Sequence, residues 1–302
     1  MKTAIVVPTI RPESLKKFLE AWTPLIQKHN TELVIVIDGK TPVVRHLGLD
    51  RDLKNLLPAA KQRAVRECIY NFNDGVRNMG FLYVATRLPD VEVIITLDDD
   101  VEPEDDTIAD HLIALHGEVP ITWFPTVLPY MRGFPYGVRD EAPVWVSHGI
   151  WKGVLDMDAP TQLVKGTNVA GAYYRGVVPK GALTPICGMN LAFRREALPL
   201  MYFAPMGERA LGIRRFADIW MGITMKRELD RLGKALVSGF ATVKHLRASN
   251  VFTNLIHEAP GLELNEHWWK DGADQHPYFK LYGVRRNTWE EFMTPWCHKG
   301  GF

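Results

Sequence analysis

Ala4-Ile5-Val6-Val7 is a wholly apolar run closed by Pro8, the pattern of a strand buried on both faces of a parallel sheet. Pro12 suits a first helical position. After it Leu15, Phe18, Leu19 and Trp22 recur at i, i+3, i+4 and i+7, one apolar stripe of a helix. Leu33 to Ile37 supplies a second buried strand, stopped by Asp38-Gly39, and together these make a βαβ opening. The pattern is helical again from Leu56 to Arg87, and Val91 to Leu97 then reads as a strand that ends abruptly in Asp98-Asp99-Asp100. Asp105 or Asp106 is placed to cap a further helix carrying Ile108, His111, Leu112 and Leu115 on one side.

Between about Pro120 and Pro185 the periodicity is poor, which predicts short strands and functional loops. Phe216 to Leu232 returns to helix, and Ala235 to Val243 reads as two short strands. The tail beyond Asn265 has no clear period; it either wraps the core or stays mobile.

The remaining arithmetic narrows the class. The chain has 302 residues, 36 Lys and Arg against 35 Asp and Glu, with 46% apolar and 24% charged residues. That is the balance of a soluble globular protein. A net charge of +1 gives no general reason to bind nucleic acid or an anionic membrane. No apolar stretch approaches the ~20 residues of a bilayer span, and the amino terminus has too short an apolar block for a secretory signal, so a cytoplasmic location is expected. Three cysteines, Cys68, Cys187 and Cys297, without Cys-x-x-Cys spacing, read as reduced thiols.

Seven acids fall within nine residues from Asp98 to Asp106. Glu102 to Asp106 is explained by a solvated loop and a helix cap. The first three directly follow a buried strand, at the sheet edge where ligands collect in open α/β folds. A carboxylate held there without a cation is costly, so a hard divalent ion shared with a diphosphate is expected, Mn²⁺ or Mg²⁺. The alternate spacing of Asp98, Asp100 and Glu102 makes a calcium loop the rival reading, but Pro103 stands where an EF-hand needs glycine and argues against it. Neither Gly-x-Gly-x-x-Gly nor Gly-x-x-x-x-Gly-Lys-Ser/Thr follows a strand, which argues against Rossmann dehydrogenases and P-loop enzymes. His111 and His116 lack the spacing of two ligands on one helical face, and His257-Glu258 lacks the second histidine of a zinc protease.

Several blocks stand in a telling order: Val7-Pro8-Thr9-Ile10-Arg11, Thr96-Leu97-Asp98-Asp99-Asp100, Arg132-Gly133-Phe134-Pro135-Tyr136-Gly137-Val138-Arg139, Val146-Ser147-His148-Gly149-Ile150-Trp151, Asp158-Ala159-Pro160-Thr161, Cys187-Gly188-Met189-Asn190-Leu191 and Ala248-Ser249-Asn250. In these the chain resembles, over about residues 4 to 255, the reversibly glycosylated polypeptides, a family that includes plant UDP-arabinopyranose mutases. The resemblance implies an α/β glycosyltransferase-A fold with a mostly parallel central sheet flanked by helices. It implies a catalytic domain over 1–255, with a nucleotide half to about 118 and a sugar half from about 119, and an extension over 256–302.

It further implies that Asp98 and Asp100 are the outer positions of a metal motif completed by His245. Pro8, Thr9, Arg11, Asp38, Arg77, Asp98 and Asp99 would line the nucleotide pocket. Asp38 is equally a turn former before Gly39, and Arg77 equally a solvated helix arginine. Arg139 falls at the arginine that becomes glycosylated in the family, although a protonated guanidinium is a poor nucleophile and a good holder of diphosphate or hydroxyls. Asp218 would be a sugar-facing acid, with Ser147, His148, Asp158, Gly188 and Asn190 as further sugar contacts; Asp156 belongs beside Asp158. Loop hydrogen bonding is the plainer role for Ser147, His148 and Asn190. The chain departs from the family pattern at Ala217, where an aspartate usually precedes Asp218, and at Val101, usually cysteine. The expected activity is metal-dependent interconversion of the pyranose and furanose forms of a UDP-pentose. A self-glycosylating or acceptor-dependent transferase and a non-catalytic UDP-sugar-binding subunit are the alternatives, and homo-oligomerisation is left open.

Overall fold

The computed structural model describes residues 1–57, 59–124, 130–139, 141–166, 173–246, 249–270 and 275–297. Its strands are β1 (Thr3–Thr9), β2 (Glu32–Ile37), β3 (Val43–His46), β4 (Leu49–Arg51), β5 (Val93–Leu97), β6 (Val101–Pro103), β7 (Glu118–Val119), β8 (Ala142–Gly153), β9 (Gly176–Val177), β10 (Asn190–Arg194) and β11 (Ala235–His245). The helices are α1 (Pro12–Lys28), α2 (Leu53–Leu56), α3 (Ala59–Arg66), α4 (Arg77–Arg87), α5 (Thr107–His116), α6 (Ala159–Lys165), α7 (Ala217–Leu232), α8 (Val251–Trp268) and α9 (Pro277–Met293).

One sheet runs in the order β4-β3-β2-β1-β5-β10-β8-β11-β6 with helices on both faces. β1 pairs in parallel with β2 and with β5, and β8 with β11, whereas β10 enters antiparallel between β5 and β8. This is the expected α/β class with a mixed sheet: among the described residues the β1–β2, β1–β5 and β8–β11 pairings are parallel and the other seven antiparallel. Val6 and Val7 are both fully buried, because α4 covers one face of β1 and α1 the other. Gly80 lets α4 lie against the sheet: a Cβ there would strike Val6 and stand 2.8 Å from Val36.

Two stretches differ from the sequence expectation, and a third resolves an alternative that it left open. The helical run from Leu56 to Arg87 is interrupted. Between α3 and α4 the chain passes through Asn71-Phe72-Asn73-Asp74-Gly75, where Phe72 is left-handed and the Asn73 side chain accepts from Gly75 N–H, turn chemistry that outweighs the apolar period around it. Ala235 to His245 is one strand, not two, with a register shift against β8 between Ser238 and Thr242; Gly239, at φ +84°, lies within it.

The third stretch is the tail. It forms α8 and α9, packed on α7 by aromatic rings. Trp220 stacks on Trp268 at 4.7 Å, Trp268 on Phe279 at 4.3 Å, and Trp220 Nε1–H donates to Asn265 Oδ1 at 2.8 Å. The boundary expected at 255/256 therefore falls inside α8. No helix among the described residues is long and apolar enough to cross a membrane.

Candidate active site

The carboxyl ends of β1, β2 and β5 open together into a cavity of about 770 Å³, lined by Thr9, Asp38 and Asp98 from these edges and closed by the turn before α4 and by α7 and α8. Fold geometry explains the grouping, since three parallel neighbours deliver their terminal residues to one rim. Two arginines organise the acids that follow β5. Arg11 meets Asp99 through its terminal nitrogen and Asp100 at 2.9 Å, while Thr9 Oγ1–H also donates to Asp99. Arg77 is 1% exposed and donates to Asp98 Oδ1 at 2.6 Å, Thr96 Oγ1 at 2.7 Å and the Gly188 carbonyl at 2.8 Å. It is a buried organiser, not a solvated helix arginine.

The Ile186–Met189 segment ties the two sides of the cavity together. Gly188 N–H donates to Asp218 Oδ2 at 2.9 Å, and Cys187 Sγ–H donates to Asp156 at 3.1 Å. A side chain at Gly188 would meet the Phe203 ring at 2.8 Å and Arg77 Cζ at 3.1 Å, so glycine is needed for the close approach. Burial, helped by Asp74 and Asp156, pushes the Asp218 carboxyl up to about 7 against the pull of the Gly188 N–H and Arg77. Asp98 rises to about 6, again chiefly by burial, with Asp74 and Asp100 adding to it and Arg77 opposing. Asp38 is raised by burial too, although the N–H groups of Phe72, Gly39 and Asn73 favour its charged form. The cavity thus contains acids able to hold or release a proton near neutrality.

Other expected site residues lie elsewhere. Ser147 and Asn190 do not line the cavity: they are fully buried around His111, whose Nδ1 accepts from Ser147 Oγ–H at 2.9 Å while Nε2–H donates to Asn190 Oδ1 at 2.8 Å. His148 also stands behind the wall. Its Nε2 accepts from Cys187 N–H at 3.1 Å and its Nδ1–H donates to Ser238 Oγ, so it is the neutral tautomer, and burial lowers both it and His111 to about 4. These three side chains support the wall and do not line the cavity. Arg139 is not a lining residue either. It stacks over Tyr136 at 4.0 Å and Tyr130 at 4.8 Å. Asp158 does line the cavity while capping α6 through Thr161 N–H at 2.8 Å. Ala217 and Val101 are each 1% exposed in the core and do not line the cavity. Arg247 and Ala248, beside Ser249, lie outside the described residues.

Sequence reading missed Asn73, Asp74, Arg215 and Glu258, all of which line the cavity. The turn residues around Asn73 were a usable signal; Glu258 sits on a helix whose period is blurred by Pro260 and Gly261.

Asp98, Asp100 and His245 also line this cavity, and His245 Nδ1–H donates to Val154 O at 2.9 Å, which leaves Nε2 as the ring's acceptor. The donor types suit a hard divalent ion. As they stand, however, the carboxylates are taken by arginines, and among the described residues no three His, Cys, Asp or Glu side chains gather closely enough to hold an ion.

A family model described as reversibly glycosylated polypeptide matches residues 2–270. The chain belongs to that family. It is 37% identical over 298 residues to a probable UDP-arabinopyranose mutase 4 of Arabidopsis thaliana, covering 91% of this chain and 76% of the relative. It is 35% identical over 296 residues to UDP-arabinopyranose mutase 1 of Oryza sativa subsp. japonica, covering 91% and 76%. Among solved structures, a glycosyltransferase involved in glycosylation of the major capsid of PBCV-1 aligns over 85% of this chain and 98% of its own, at 10% identity and a TM-score of 0.35.

Proposed function

We propose that this chain interconverts the pyranose and furanose forms of a UDP-linked pentose, UDP-arabinose first among them, as its relatives' names state for those proteins. The observation that carries the reading is Asp218, a carboxyl raised to about 7 in the wall of a cavity large enough for a nucleotide sugar. Asp38 and Thr9 would hold the nucleoside end, with Pro8 beside them, and Arg11 would take up charge on the diphosphate as it leaves.

The chemistry balances without an oxidant or reductant. The bond from the anomeric carbon to the diphosphate oxygen breaks, and its electron pair departs with UDP. The sugar 4-hydroxyl attacks the anomeric carbon and its proton passes to Asp218. The bond from that carbon to the old ring oxygen then breaks as Asp218 returns the proton to that oxygen, and UDP recaptures the anomeric carbon. A group that both takes and gives the proton works best with an affinity near the ambient pH, which is where burial places Asp218. Arg139 has no step in this scheme.

The Mn²⁺ or Mg²⁺ requirement is part of the proposal, supported by charge. Among the described residues, nine Asp or Glu side chains but only two arginines line the cavity, and a diphosphate adds further negative charge. A bound divalent ion would supply Lewis-acid neutralisation there; Asp98, Asp100 and His245 are the residues that would hold it.

The test is incubation of the purified protein with UDP-arabinopyranose, with and without Mn²⁺, followed by chromatography of the nucleotide sugars and intact-mass measurement of the protein. A furanose product supports the mutase. UDP release without isomerisation, or a sugar adduct from another UDP-sugar, replaces it with a transferase, and binding without turnover with a non-catalytic subunit.

A further inference from the structure

Helix α8 supplies part of the cavity wall through Thr253, Asn254 and Glu258. Asn254 is occupied in packing, its Nδ2–H donating to Ser249 Oγ at 2.5 Å. Glu258 is only half committed. The side chain is 7% exposed and Oε2 accepts from Ala159 N–H at 2.7 Å, while Oε1 faces Arg215 Nε across 3.9 Å, wider than a hydrogen bond. Arg215 reaches this point from the segment just before α7, with a left-handed backbone at φ +72°, and it too lines the cavity.

A carboxylate oxygen and a guanidinium N–H held apart at this spacing are satisfied together by a group that donates to one and accepts from the other. A hydroxyl does both; a phosphate oxygen only accepts, and it would meet Glu258 with Asp156 and Asp158 close by. With Asp156 and Asp158 beside it, this stretch of the wall suits a neutral polyol. We propose that Glu258 and Arg215 form a clamp for one hydroxyl of the sugar, which makes α8 part of the substrate site. This inference rests on the reading of the substrate as a UDP-sugar and names the residues that recognise its sugar.

The test is isothermal titration of the full-length wild type, Glu258→Gln and Arg215→Ala with UDP and, separately, with UDP-arabinopyranose. Glu258→Gln keeps an acceptor for Ala159 N–H but replaces the anionic oxygen that the clamp needs. Arg215 is 43% exposed, so its truncation spares the core and decides the matter should Glu258→Gln fold poorly. The clamp predicts UDP affinity within twofold of wild type in both variants, and UDP-arabinopyranose affinity weaker by about 10- to 100-fold, the range for a hydrogen bond to a charged group. Equal weakening toward both ligands in Arg215→Ala, or no change toward either, overturns it. A wild type that binds UDP-arabinopyranose and loses affinity on substitution, yet forms no furanose, upholds the clamp and rejects the mutase. A wild type that binds neither ligand rejects both.

Discussion

Replacing Asp218 with Asn removes the proton carrier while leaving most of its contacts. Asn Oδ1 still accepts from Gly188 N–H, but the second carboxylate oxygen, which accepts from Ile219 N–H at 2.9 Å, is lost. That loss costs about 1 kcal/mol at every pH. The charge works in the opposite direction. The folded-state affinity is raised, about 7 against 3.8 for the free side chain, so the folded protein holds this proton more tightly than the unfolded chain. The resulting stability is full below 3.8 and is lost as pH rises through 7. Three units at 1.36 kcal/mol each set a ceiling of about 4 kcal/mol, and because the carboxyl opens onto a wet cavity about half of that is a fairer figure.

The two effects predict a crossing. Asp218→Asn should be less stable than wild type by about 1 kcal/mol at pH 4 and more stable by about 1 kcal/mol at pH 8. Urea unfolding of both proteins across that range measures it. Turnover should fall to background in the variant. A stability difference that stays constant from pH 4 to pH 8 would refute the assignment of Asp218 as a buried acid with a raised proton affinity.

Arg77→Met strands Asp98 and the Gly188 carbonyl, so thermal or urea denaturation should register a loss of about 3–5 kcal/mol, the cost of breaking a buried pair. Gly188→Ala forces a methyl against Phe203 and Arg77 and should cost about 1–3 kcal/mol together with most of the activity, read by unfolding and by product chromatography. Asp100→Asn should abolish Mn²⁺-dependent turnover; unchanged metal dependence would remove Asp100 from the proposed ligand set. Arg139→Ala should retain UDP binding, since Arg139 stands outside the cavity, and a loss of binding by titration would place its loop at the nucleotide.

The parallel core was legible because burial on both faces leaves nearly unbroken apolar runs at β1, β2 and β5, and because Pro12 and the Phe18–Trp22 stripe mark α1. The acids at the end of β5 were legible for the same reason, as charges that follow such a run sit at a sheet edge. The tail was not. The buried face of α9 is largely Tyr278, Tyr282 and Trp289, whose polar atoms find partners such as the Pro205 and Leu198 carbonyls, and that of α8 mixes Asn254, Glu258 and Gly261 with Leu264 and Trp268, so a simple apolar count does not register a period there.

Within the site, residue type alone could not separate cavity wall from support. Ser147, His148 and Asn190 have side chains fit for a sugar, yet all three are satisfied by buried partners that the packing of α5 and β11 against β8 and β10 brings near. The converse holds for Arg77. Its neighbours in sequence describe an ordinary helix start, but α4 lies close against the sheet through Gly80, and at that depth a guanidinium persists only because Asp98 and Asp74 oppose the cost of burial. Asp74, one of the acids that hold Arg77 in place, also raises the proton affinity of Asp218, while Arg77 itself lowers it. Structural charge and the proposed proton transfer therefore share one electrostatic network, in which removing a supporting residue should change the pH dependence of turnover as well as its rate.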